Sequence, residues 1–117
     1  MTSITLLHNP RCSKSRQTLS LLEDNGIAPV IVEYLKAPLS ETELKQVFKK
    51  LNVNTVREMM RTKDTEYKDT GLADDSVSDQ ALFEAMVNIP KLIERPIVIK
   101  GDKARIGRPP ESVLEIL

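Results

Sequence analysis

Residues 4 to 34 contain an apolar run, a Pro-bounded break, a helix-length segment and a second apolar run. "ITLL" (Ile4–Leu7) is the first run, and Asn9-Pro10 breaks it, because a residue before proline is pushed out of helical geometry. From Arg11 to Asn25 there is no Gly or Pro; Leu19 and Leu22 have helical spacing, and Asn25-Gly26 is a stop signal. "PVIVEY" (Pro29–Tyr34) is rich in β-branched residues and suits a second strand. Two strands joined by one helix must run parallel with a right-handed crossover. This βαβ start commits the chain to an α/β fold.

The rest of the chain supplies the other layer. "SETE" (Ser40–Glu43) has the spacing of a capping box, and Leu44, Val47, Phe48 and Leu51 follow on one helical face. "TVRE" (Thr55–Glu58) repeats the box before Met59 and Met60, so Arg61 ends a helical turn. Ser78 opens a further helix carrying Leu82, Phe83, Met86 and Val87, and Pro90 stops it. "PIVIK" (Pro96–Lys100), the Gly101-Asp102 turn and "KARIG" predict a hairpin. Pro109-Pro110 then opens a last helix, where proline is tolerated in the first turn. The order is β-α-β, several helices, then β-β-α. That is a thioredoxin-like core with a helical insertion at about residues 40–90, in one domain spanning residues 1–117.

Composition narrows the function. With 17 basic and 17 acidic residues, no net field favours nucleic acid or membrane. Aromatics make up only 3% of the chain, too few for a base-stacking surface, and no apolar run approaches a membrane span. The acid-free start has transit-peptide composition, but "SITLLHN" reads as a strand the fold needs. A single cysteine excludes an internal disulfide framework and predicts a reducing, cytoplasmic location. No metal-ligand cluster is read from the sequence.

That cysteine, Cys12, lies in "NPRCSKSR" among Arg11, Lys14 and Arg16, and the first acidic residue is Glu23. It falls at a helix start, where free amides and the positive end of the dipole stabilise a thiolate and also bind oxyanions; Arg11, Lys14 and Arg16 are expected to stabilise the thiolate as well. "CSKS" puts Ser15 where a Cys-x-x-Cys enzyme has its second thiol, so an external thiol must resolve Cys12 or the site is not redox-active. His8 either steadies the thiolate or moves a proton, or it is a strand-end histidine hydrogen-bonded to backbone. Arg61, Arg95 and Arg108 are candidate oxyanion clamps, because the guanidinium fork fits a tetrahedral anion. Taken singly, each fits a surface charge paired to a nearby acid better than a clamp, with Glu58, Glu94 and Glu111 as candidate partners.

"HNPRCSKSR", "RPIVI" and "ARIGRPPE" together resemble the arsenate reductase family, in its glutaredoxin-coupled, single-cysteine class. The resemblance runs from about residue 4 to the end. It implies a thioredoxin-like fold with a helical insertion, Cys12 as nucleophile, His8 and Ser15 as thiolate-tuning residues, and Arg61, Arg95 and Arg108 as oxyanion ligands. It also places Pro96 opposite the cysteine, with a cis Arg95–Pro96 bond. The implied reaction takes arsenate or a similar oxyanion to arsenite, with glutathione as co-substrate, glutaredoxin as partner and no bound cofactor. Resistance-dedicated members have small neutral residues beside the cysteine, where this chain has Arg11 and Lys14. The alternative is a non-catalytic thioredoxin-like module that binds a protein partner or senses redox state through Cys12, as in related polymerase-binding regulators. Convergence of the three arginines on Cys12 separates the two.

Overall fold

The computed structural model describes residues 3–117. Strand β1 (Ile4–Leu7), helix α1 (Ser13–Asp24) and strand β2 (Val30–Val32) form the expected βαβ unit, with β1 and β2 parallel. Helices α2 (Glu41–Leu51), α3 (Thr65–Asp69) and α4 (Asp79–Asn88) follow, and β3 (Ile97–Lys100) and β4 (Lys103–Ile106) make the hairpin. The sheet order is β2-β1-β3-β4, with β3 antiparallel to both neighbours. This is the thioredoxin-like arrangement, with the helices inserted between its two halves.

Local chemistry accounts for the elements. Ser40 Oγ accepts from the Glu43 amide, while Glu43 Oε1 accepts from the Ser40 amide, so the first capping box closes. Ser78 caps α4 by accepting from the Ala81 amide. Gly101 takes φ 61° in the two-residue turn that joins β3 to β4, a conformation glycine adopts without a Cβ clash.

Four elements differ from expectation. Strand β2 is only Val30–Val32, and beyond it Glu33 O accepts from the Lys36 and Ala37 amides, so the chain turns away. "TVRE" starts a 3-10 helix, Val56–Met59, because Met60 leaves it to bridge Ile93. Arg61 therefore follows the extended Met60 rather than ending a helical turn. The last helix, Pro110–Ile116, is also 3-10. Short α3 has no counterpart in the sequence reading, since Tyr67 is its one buried residue and gives no periodicity.

The strand alternation sorts the core. Leu7, Ile97 and Ala104 face the insertion, where Leu44, Val47, Leu51, Leu82 and Met86 pack. Leu6 and Val98 face the other way, onto Leu22 of α1 and Val113 and Ile116 of the terminal 3-10 helix. Helices thus cover both faces, which a parallel pair requires. Among the described residues, no helix is long and apolar enough to cross a membrane.

Gly107 packs closely against α1 and Pro96. A Cβ there would sit 2.6 Å from Thr18 Oγ1 of α1 and 2.8 Å from Pro96 Cγ. Gly107→Ala should therefore cost about 1–3 kcal/mol by overpacking. A urea melt will measure it, and unchanged stability would mean that Thr18 and Pro96 yield freely.

Candidate active site

Strand register decides which parts of the chain meet. Leu7, the last residue of β1, pairs with Ile97, the first of β3, and Ile97 pairs with Ile106, the last of β4. The segments just beyond these residues share one end of the sheet: His8 to Cys12, Arg95-Pro96, and Gly107 to Pro109. The Met60–Ile93 bridge brings in a fourth segment, with the Arg61 amide donating to Leu92 O at 2.7 Å and the Glu94 amide to Met59 O at 2.8 Å. The Arg95–Pro96 bond is cis, as the resemblance implied; the Arg108–Pro109 bond is also cis and had not been read.

Cys12 is the N-cap of α1, half-buried, with extended backbone. No acid occupies the first turn of this helix. Burial pushes the thiol up, but this is outweighed by the Ser15 amide, the Arg95 charge, the Lys14 amide and the Arg108 charge, so the thiol ionises below its ordinary value. The charges that act on the sulfur therefore come from the far end of the sequence. Of the neighbouring cations, Arg11 and Lys14 are exposed, and Arg16 Nη1 donates to Pro10 O at 2.9 Å.

Arg108 is the nearest cation, with Nη2 3.7 Å from Cys12 Sγ. Its Nε is held from behind, donating to Arg95 O at 2.8 Å and lying 3.0 Å from Glu94 Oε1. Arg95 has no acidic partner among the described residues, and its buried Nε has no hydrogen-bond partner. Arg61 pairs with Asp64 at 3.2 Å. It lines two cavities: one of about 220 Å³ with Asn9, Tyr34, Lys91 and Arg95, and one of about 250 Å³ with Glu94 and Arg108. The three arginines thus stand on one face, Arg108 on the sulfur, Arg95 within its field, and Arg61 further out. Of the three acids considered as partners, only Glu94 pairs with one of them. Glu58 Oε2 accepts from the Asn54 and Thr55 amides, and Glu111 lines a groove along α1.

His8 and Ser15 form a buried pair, with Nδ1 to Oγ at 2.6 Å, and Ser15 Oγ also accepts from the Asn9 amide at 3.0 Å. Burial lowers the His8 pKa, opposed by Glu33 and aided by Arg16, so the ring is neutral at pH 7. In either neutral tautomer the Nδ1–Oγ bond can form, with the ring or the hydroxyl as donor. The His8 ring thus bonds to the Ser15 side chain rather than to backbone, and it braces the turn that carries Cys12. Ser15 acts on the sulfur through its amide, because its hydroxyl is taken by His8 and Asn9.

The sequence reading missed Tyr34. Its side chain is fully buried and its hydroxyl has no partner. The only signal was a polar aromatic at a strand end in a chain with two tyrosines.

The lowered thiol pKa has a direct readout. The rate of Cys12 alkylation against pH should show a midpoint below the free-thiol value of about 8.5. The sign for stability follows: the contribution is complete above the unfolded thiol's pKa and fades as pH falls through the folded one. A midpoint at or above the free value would remove the activated thiol.

Comparison with known proteins completes the picture. A family model described as the ArsC family matches residues 7–116. An arsenate reductase of Haemophilus influenzae is 56% identical over 115 residues, covering 98% of this chain and 99% of its own. An arsenate reductase of Neisseria meningitidis serogroup A is 48% identical over 117 residues, covering all of both chains. A solved structure, an arsenate reductase from Vibrio cholerae, superposes with a TM-score of 0.97 at 55% identity, over 99% of this chain and 98% of that one.

Proposed function

The chain belongs to the ArsC family, and we propose that it reduces arsenate, or a similar small oxyanion, through the thiolate of Cys12. The observation that carries this reading is the Arg108 guanidinium 3.7 Å from a half-buried sulfur at a helix N-terminus. The full-length relatives named as arsenate reductases support arsenic as the element reduced.

In this reading Arg95 and Arg108 hold the tetrahedral anion over the α1 amides, with Arg61 at the outer edge. Their charge neutralises the anion and lets a thiolate approach it, which would otherwise be opposed by like-charge repulsion. Cys12 Sγ attacks arsenic and an oxygen leaves as water after protonation, giving a thiol–arsenate adduct. Glutathione displaces a second oxygen. A glutaredoxin thiolate then attacks the glutathione sulfur, and the electron pair of the sulfur–arsenic bond stays on arsenic. Hydrolysis releases arsenite and regenerates Cys12. In sum, arsenate and two thiols give arsenite, one mixed disulfide and one water. In this reading the reaction needs no resident cofactor; glutathione is a co-substrate, and such thiol chemistry belongs in a reducing compartment such as the cytoplasm. His8 and Ser15 brace the turn, and the Ser15 amide tunes the thiolate.

The test is arsenite production from arsenate by the purified protein with glutathione, with and without glutaredoxin. Turnover should need both, and thioredoxin should substitute poorly. Catalysis with thioredoxin alone would rule out the single-cysteine route. No arsenate reduction with either system, together with partner binding through the Cys12 face, would favour a binding module.

A further inference from the structure

Two buried hydrogen-bond donors at this end of the fold have no partner among the described residues: the Tyr34 hydroxyl and Nε of Arg95. Both residues line the cavity of about 220 Å³, whose wall also carries Asn9, Arg61 and Lys91. A native fold rarely leaves such groups unpaired, because each has lost its water without gaining an acceptor. Two orphans in one cavity point to a guest rather than to a packing fault. Arginine Nε can only donate, so the guest is an acceptor. Of the three cations in the wall, Arg61 pairs with Asp64 and Lys91 with Glu66, which leaves Arg95 uncompensated among the described residues and favours a negative guest. An oxyanion meets both requirements.

We propose that Tyr34 is a binding residue of this site, its buried hydroxyl donating, beside Arg95 Nε, to the oxyanion held at Cys12. The inference rests on the oxyanion reading given above and adds to it a neutral donor. The phenol suits that role: burial pushes its pKa up, to about 12, with Arg95 and Arg61 opposing, so it keeps its proton at neutral pH. A neutral donor strengthens anion binding without adding a fourth charge. It also explains why a tyrosine fills a position that Phe could fill at no polar cost.

Tyr34→Phe separates this role from a structural one, because it removes a single oxygen. In the ligand-free protein that oxygen bonds to nothing, so the variant's Tm should equal or exceed wild type. Its affinity for arsenate, from a thermal-shift titration, should fall about 10- to 100-fold, as expected for a hydrogen bond to a charged acceptor, and KM should rise in step. A clear drop in ligand-free Tm would mean that the hydroxyl has a partner within the fold, and would overturn the proposal. Unchanged arsenate affinity in Tyr34→Phe would also overturn it, while leaving the oxyanion reading intact. If wild type gains no stability from arsenate and does not reduce it, the oxyanion reading fails first, and the role of Tyr34 fails with it.

Discussion

Replacing Cys12 with Ser should abolish arsenate turnover in the presence of glutathione and glutaredoxin, while the fold is retained. The chain has no other thiol, so no second group can form the adduct. A serine hydroxyl at this position is un-ionised near neutrality. The amides and arginines that lower the thiol pKa cannot bring an alcohol, starting far higher, into the same range. The residual rate should be that of the thiols alone. The fold should survive because Cys12 is a half-buried N-cap, and Ser is among the preferred N-cap residues. A thermal melt at pH 7 should therefore match or exceed wild type. Anion binding should persist too, since Arg95 and Arg108 remain, so the variant separates chemistry from binding. Substantial turnover by Cys12→Ser would remove covalent catalysis at this residue.

Arg108→Lys should lower kcat/KM by about 100-fold, within the range for removing one preorganised oxyanion donor. Charge is conserved, so a purely electrostatic role would predict near-normal activity. The geometry predicts otherwise. Arg108 uses Nε to hold Arg95 O and Glu94 while Nη2 reaches the sulfur, two tasks that need a planar fork. A lysine ammonium can reach Glu94 or the sulfur, but cannot span both. Stability should change little, because the Glu94 pair is partly exposed, and such pairs contribute about 0–1 kcal/mol. Kinetics beside a melt will decide. Wild-type kcat/KM in the lysine variant would reduce Arg108 to a point charge.

The sequence alone determined the fold class and the place of the candidate nucleophile, Cys12. A βαβ start and a ββ hairpin are written in local terms: apolar runs, proline breaks, a glycine turn and a capping box whose partners lie three residues apart. The place of Cys12 at a helix start is equally local, since Asn9-Pro10 fixes where the strand ends. The site's electrostatics are not local. The residues flanking Cys12 suggested that Arg11, Lys14 and Arg16 supply the field, yet these side chains point to solvent or to Pro10 O. The field comes from Arg95 and Arg108, delivered by the register that pairs Leu7 with Ile97 and Ile97 with Ile106. Sheet pairing is a long-range property, and no spacing within one segment encodes it. The 3-10 geometry before Arg61 has the same origin, because Met60 gives up the helix for a bridge to Ile93. Tyr34 is the clearest case. At a strand end it reads as any aromatic, and only the closed fold, by burying its hydroxyl without a partner beside Arg95 and Arg61, shows that a donor is waiting there.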